Sequence, residues 1–165
     1  METELHKKLM AQAGKLLARR AYSRAELGER LARLAESDEV DRALDHLVEL
    51  RLLNDANYAY NLSLHRLTRE GWGPLRVRRE LIERRVEPAT ADEALARVLD
   101  ETGEETILKR YLVRYAGRRG WPGDRRRIQR LVLHLERRGF GAEQVHRALR
   151  DEIGTEAWRR FETGE

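Results

Sequence analysis

The chain has 165 residues, of which 38% are charged and 41% hydrophobic, and its formal net charge is +4. It contains no cysteine, which excludes disulfides, thiolate metal ligands and a thiolate nucleophile. The apolar share is too high for a disordered chain, and no apolar run approaches the ~18 residues a membrane span needs.

Helix signals occupy nearly the whole sequence, and strand signals are almost absent. From Leu5 to Arg20 the pattern is helical, with Leu5, Leu9, Leu16 and Leu17 on one side. Ser23-Arg-Ala-Glu26 has the spacing of a capping box and opens a short helix carrying Leu27, Leu31 and Leu34. Val40, Ala43, Leu44, Leu47 and Val48 mark a third helix. Asn54 or Asp55 caps a fourth, which carries Tyr58, Ala59, Leu62 and Leu67. Pro74 suits the first turn of a fifth.

Thr90-Ala-Asp-Glu93 predicts a second capping box, for a sixth helix with Ala94, Leu95, Val98 and Leu99. Thr102-Gly-Glu-Glu105 predicts a third, for a seventh helix with Ile107, Leu108, Tyr111, Leu112 and Tyr115 on its apolar side. Ile128, Leu131, Val132 and Leu135 mark an eighth, and Val145, Ala148 and Leu149 a ninth.

Nine short helices fall into three groups of three, and parts of the groups match. The last helices align as VDRALDHLV, ALARVL and VHRAL. Gly71-Trp72 and Gly120-Trp121 lie 49 residues apart, and the triplets Glu83-Arg-Arg and Glu136-Arg-Arg 53 apart. The difference of four is about one helical turn. The expected fold is therefore all-α, with three tandem three-helix modules over residues 1–53, 54–101 and 102–154 and a C-terminal tail over 155–165. Gly71 and Gly120 are placed to end helices in a left-handed conformation. Trp72 and Trp121 have two readings, stacking on bases or hydrophobic pins between neighbouring helices, and the pin is preferred.

No phosphate loop or dinucleotide fingerprint occurs. The histidines His6, His46, His65, His134 and His146 show no familiar metal-ligand spacing. Acidic residues lie mostly at caps or four residues from an arginine, as Glu80 does from Arg84, which is the pattern of solvated ion pairs. No enzyme activity, cofactor or metal is expected. The polar N-terminus, METELHKKLM, points to a soluble cytoplasmic protein, and a monomer without a membrane partner is expected.

Charge is the informative feature. Of 33 basic residues 29 are arginine. Between Lys109 and Arg138 eleven basic residues face two acidic ones, a net +9 that leaves −5 for the rest of the chain. Arg110, Arg114 and Arg118 recur every four residues and form one stripe on the seventh helix, next to Arg119. Arg125 and Arg126 mark the following turn. Arg127, Arg130, His134 and Arg137 lie beside the apolar stripe of the eighth helix, which Arg138 closes. Arg66, Arg69, Arg76 and Arg79 flank the Gly-Trp-Gly-Pro break. Like charges at helical spacing repel, so such a cluster predicts a polyanionic partner.

The blocks RRAYSRAELGERL, LVELRLLNDANYA, GWGPLRVRRELIERRV and LERRGFGAEQVHRAL together resemble the RecX family, regulators of the recombinase RecA. The resemblance covers almost the whole chain. It implies three tandem modules in an elongated, curved arrangement. It also implies binding along the groove of the RecA–DNA filament, with lowered ATP hydrolysis, strand exchange and coprotease activity. The implied partners are the RecA filament and DNA, single- or double-stranded, without sequence specificity. The family often has Gly where this chain has Arg51 and Val86.

A second reading is a helix-turn-helix-like DNA-binding regulator, for which Gln129 beside Arg126 and Arg127 is the one tempting set. A third is a protein scaffold that binds through the acidic modules; in the RecX reading Glu36, Asp38, Glu39, Asp41 and Asp45 meet basic recombinase loops.

Overall fold

A computed structural model describes residues 3–163. Its described residues form ten α-helices and no strand: α1 (Glu4–Leu17), α2 (Arg24–Leu31), α3 (Ser37–Glu49), α4 (Asp55–Thr68), α5 (Pro74–Glu83), α6 (Pro88–Thr102), α7 (Glu104–Arg119), α8 (Arg125–Arg137), α9 (Ala142–Ile153) and α10 (Thr155–Thr163). The chain divides into two compact units. The first comprises Met1–Asn61 and Glu80–Ala94, the second Leu62–Arg79 and Leu95–Glu165.

In the first unit the apolar stripes of α1, α2 and α3 meet. Leu9, Ala13, Leu27, Leu31, Ala43, Leu44 and Leu47 form its core, with Tyr22 and Leu53. Leu34, predicted on the α2 stripe, is 53% exposed. It falls one turn past the end of α2, so the stripe it would have continued is already finished. The capping box at α2 forms as predicted: the Ser23 Oγ accepts from the Glu26 N–H at 3.1 Å, and the Glu26 carboxylate accepts from the Ser23 N–H at 3.3 Å.

Of the two candidate caps for α4, Asn54 is the one used, accepting the Asn57 N–H at 2.9 Å. Asp55 instead accepts the Arg24 N–H at 2.7 Å and so serves the start of α2. A polar network completes the unit. Arg84 donates to Glu80 at 2.8 Å and to the Tyr58 hydroxyl at 3.2 Å, and the Ser23 hydroxyl donates to the Arg84 carbonyl at 2.5 Å.

In the second unit α9 packs against α7, α8 and α10. Ile107, Leu108 and Leu112 of α7, Ile128, Leu131, Val132 and Leu135 of α8, and Val145 and Leu149 of α9 are buried, as their spacing predicts. The stretch expected to be a tail, residues 155–165, carries α10 through Thr163, and its Trp158 is buried to 1% exposure. The Trp158 ring lies against His146 of α9, with centroids 5.2 Å apart.

Two predicted helix starts are corrected. Helix α6 begins at Pro88, so Thr90 lies inside its first turn rather than at its cap. A proline with fixed φ at the first helical position outweighs a threonine two residues later. The same helix runs on through Thr102, whose hydroxyl donates back to the Val98 carbonyl at 2.6 Å. Gly103, at φ 73°, then caps α7 without a side-chain bond.

Three helices end alike. The Arg51, Arg85 and Gly139 amides each donate to the carbonyl three residues back, and the Leu52, Val86 and Phe140 amides to the carbonyl five back, the paired bonds of a Schellman motif. The residue between is left-handed each time: Arg51 at φ 57°, Arg85 at φ 60° and Gly139 at φ 94°. Arg51, where the resemblance implies glycine, therefore holds the left-handed conformation that glycine suits best. In the second helix end Arg85, not Val86, holds it. Arg85 and Gly139 are 54 residues apart, so pairing the Glu-Arg-Arg triplets at 53 sets the repeat out of register by one.

A non-glycine residue in this region costs about 1 kcal/mol. Arg51→Gly should therefore raise stability by about 0.5–1 kcal/mol, read as the midpoint of urea unfolding; a fall would mean the Arg51 side chain contributes more than its backbone costs.

Candidate functional site

The site is built in the second unit from the break between α4 and α5. Gly71 takes φ 65°, as predicted, and a Cβ there would lie 2.6 Å from Cδ2 of Tyr111. Bare glycine thus lets the Tyr111 ring close onto the turn. The turn is bonded to the end of α8: the Gly73 N–H donates to the Arg138 carbonyl at 2.7 Å and the Leu75 N–H to the Gly139 carbonyl at 3.0 Å. In return the Arg138 guanidinium donates to the carbonyls of Gly71, at 2.9 Å, and Glu70. Its carbon also sits 4.6 Å from the centre of the Tyr111 ring.

Around this junction lie two adjoining hollows of about 440 and 480 Å³, both within the second unit. Arg69, Arg114, Arg118 and Arg138 line the first, Arg127, Arg130 and Arg137 the second, and Arg119 both. Tyr115 and His134 form floor shared by the two. Eight arginines therefore converge on one groove, against one lining carboxylate, Glu70, which is already paired with Arg66 and lies 3.3 Å from His65.

The other six predicted residues go elsewhere. Arg66 and Arg76 hold Trp72, with guanidinium carbons 4.6 and 3.7 Å from its ring centre. Arg79, Arg110, Arg125 and Arg126 are exposed but line neither hollow. On α7, Arg114 and Arg118 line the groove with Tyr111 and Tyr115, and Arg110 does not. Gln129 is exposed on α8 and lines neither hollow.

The aromatic members differ from the sequence expectation. Tyr111 and Tyr115, read as core, are only half-buried and face the groove. Trp121, read as a pin, is 38% exposed at the rim of the second hollow. The signal that could have separated them is their amphipathic character beside an arginine stripe.

His134 accepts from or donates to the Tyr111 hydroxyl at 2.6 Å. Burial first, and then the positive charges of Arg138, Arg119 and Arg137, hold its imidazole below the ordinary histidine range. It is the neutral member of a cationic wall. Among the described residues no group of three histidines or carboxylates could hold a metal, and no helix is long and apolar enough to cross a membrane.

The "Regulatory protein RecX" of Ectopseudomonas mendocina (strain ymp) is 36% identical over 136 residues, covering 82% of this chain and 88% of that protein. The chain belongs to the RecX family. Its counterpart from Halorhodospira halophila (strain DSM 244 / SL1) is 37% identical over 138 residues, covering 81% of each. The family's second three-helix domain matches residues 54–95. Two crystal structures share the fold at 20% identity. RecX from Lactobacillus salivarius has a TM-score of 0.75, over 90% of this chain and 96% of that one; a second, titled regulatory protein RecX, has 0.72, over 90% and 72%. The relatives are named as regulatory proteins.

Since folding lowers the His134 pKa, the unfolded chain binds more protons near and below the ordinary value of 6.5. The stability associated with neutral His134 is present above about pH 6.5 and lost as the pH falls through the lower folded value. His134→Gln, which keeps a hydrogen-bonding group without a titration, should flatten that part of the decline in urea unfolding measured between pH 7.5 and 5.5; an unchanged slope would mean His134 is not its source.

Proposed function

We propose that this chain is a regulator of the RecA recombinase, mainly a negative one, that binds along the RecA–DNA filament and lowers ATP hydrolysis, strand exchange and coprotease activity. Membership of the RecX family supports the target. The observation that supports the mode of contact is the convergence of eight arginines on one groove with a single, already paired carboxylate.

Phosphates entering the groove would relieve mutual repulsion among the guanidinium groups and release counterions. Arginine suits this, since its planar fork meets two phosphate oxygens at once. The phosphate-facing residues in this reading are Arg69, Arg114, Arg118, Arg119, Arg127, Arg130 and Arg137. Arg66, Arg76 and Arg138 act chiefly by holding the turn and its tryptophan.

The three-module organisation, over 1–53, 54–101 and 102–154, belongs to the same proposal. It is supported by the match of a three-helix domain to residues 54–95, inside the second of these spans. Several modest contacts spread along such a chain would combine through effective concentration.

Added to RecA on single-stranded DNA, the chain should slow ATP hydrolysis, and an unaltered rate at micromolar excess would remove the proposal. The double change Arg114→Glu, Arg118→Glu should raise the concentration needed for half-inhibition by about tenfold. It should also make the salt dependence of DNA binding shallower by about two. Arg110→Glu, outside the groove, should do much less; an equal effect would show that the groove is not the contact surface.

A further inference from the structure

The chain has three tryptophans, and their surroundings differ. Trp158 is buried, 1% exposed. Trp72 is occupied, with Arg66 and Arg76 stacked over its ring. Trp121 is 38% exposed and has no ring or guanidinium stacked on it among the described residues.

An indole left open to water gives up apolar burial. In this fold the sacrifice is made between Gly120, at φ 72° with nothing within 4 Å of where its Cβ would lie, and Pro122. The ring borders the second hollow with Arg119, Arg127, Arg130 and Arg137. A partly exposed indole and cationic lining thus occur together, and Tyr115 and His134 continue the aromatic surface into the first hollow.

Resting on the reading of the groove as a phosphate-binding surface, we infer that Trp121 is a stacking platform for an unpaired base, which makes the groove a site for single-stranded nucleic acid. The physical basis is selective. Arginines that meet phosphates bind single strands and duplexes alike. A duplex keeps its bases stacked on one another and offers an indole no face, whereas a single strand has faces to offer. Arginines on the groove wall supply affinity, and Trp121 supplies the preference for unpaired strands. Because every base has a π-face, the preference carries no sequence code.

The test is titration of the full chain with a 20-nucleotide single strand, the matching duplex and inorganic polyphosphate at about 50 mM salt. Anisotropy and tryptophan fluorescence are read in parallel. Trp121→Ala alters an exposed position between α7 and α8, and unchanged circular dichroism and unfolding midpoint establish that the variant folds. In the parent protein the single strand should quench tryptophan fluorescence, and in Trp121→Ala most of that quenching should vanish. Single-strand affinity should fall about 5- to 150-fold, the range for one stacked base. Duplex and polyphosphate affinity should stay within about twofold, and Trp121→Phe should recover part of the loss.

An RNA strand should respond to the substitution as DNA does, since the ring meets a base and not a sugar; an effect confined to one of the two would overturn stacking. Equal losses on single strand and duplex would make Trp121 a structural or general contact, and overturn the inference. If the parent binds both nucleic acids and Trp121→Ala changes neither, stacking falls while the phosphate groove stands. If the parent binds none of the three polyanions, the groove reading falls and takes the inference with it.

Discussion

The close approach of two backbones fixes the second unit. Gly73 and Gly139 face each other where the α4–α5 turn meets the end of α8. A Cβ built on Gly73 would lie 2.1 Å from the carbonyl carbon of Gly139, and one on Gly139 would lie 2.4 Å from the amide nitrogen of Arg76. Neither obstacle is a flexible side chain that could move aside. Two glycines allow contact at that range, and the contact satisfies turn amides and carbonyls that would otherwise be left without helical partners. The end of α4, with Arg69 and Glu70, is thereby held beside the end of α8, with Arg137 and Arg138. Gly71, also without a side chain, admits Tyr111. The two hollows follow from that junction, since their walls are the elements it joins.

The electrostatics follow from the same geometry. Packing α7 and α8 so that their polar edges border one groove brings like charges together, at a cost of a few tenths of a kcal/mol for each pair at helical spacing. Some of that charge is absorbed locally. Arg138 is tied to two carbonyls and lies over Tyr111, Arg66 is paired with Glu70, and Arg127 with Asp124 at 3.4 Å. Burial first keeps His134 neutral, and a proton placed there would then also be repelled by three neighbouring guanidinium groups. The same guanidinium groups attract a negative charge brought to the groove.

Much of the local structure was legible in the sequence, and the failures share a cause. The Ser23 box, Pro74 and the positive-φ Gly71 are short-range devices with one dominant solution, and all are present, whereas Gly120 takes φ 72° with ψ 162°, an extended backbone and not a left-handed helical cap. Thr90 and Thr102 had the same spacing signal but competed with stronger neighbours, a proline at the first helical position and a helix still able to propagate. Arginine triplets misled the repeat register because identical letters need not occupy equivalent backbone positions: Arg85 is left-handed, whereas Arg138 is helical and Gly139 takes the left-handed place. Helical periodicity puts Tyr111 and Tyr115 on the face with Ile107 and Leu108, but it cannot distinguish the centre of a buried stripe from its rim. Nor could it show that α10 would cover the second unit's core, since Trp158 falls in a stretch too short and charged to announce a helix.

The composition of the groove bears on the choice among modes of nucleic-acid contact. Direct readout of a duplex needs side chains that pair with base edges, Asn, Gln or Arg carried on a helix that enters the major groove. No Asn or Gln lines either hollow, and Gln129, the residue best placed for that role in the sequence, lies outside both. The lining arginines come from the face of α7, the face of α8 and the end of α4, spread around a concavity rather than along one protruding helix. Concave arginine with aromatic floor suits a flexible, charged strand, whose phosphates and bases can each find a partner without a fixed register. Sequence-independent binding of that kind is what a regulator needs if its target is defined by assembly on a strand, rather than by any particular order of bases.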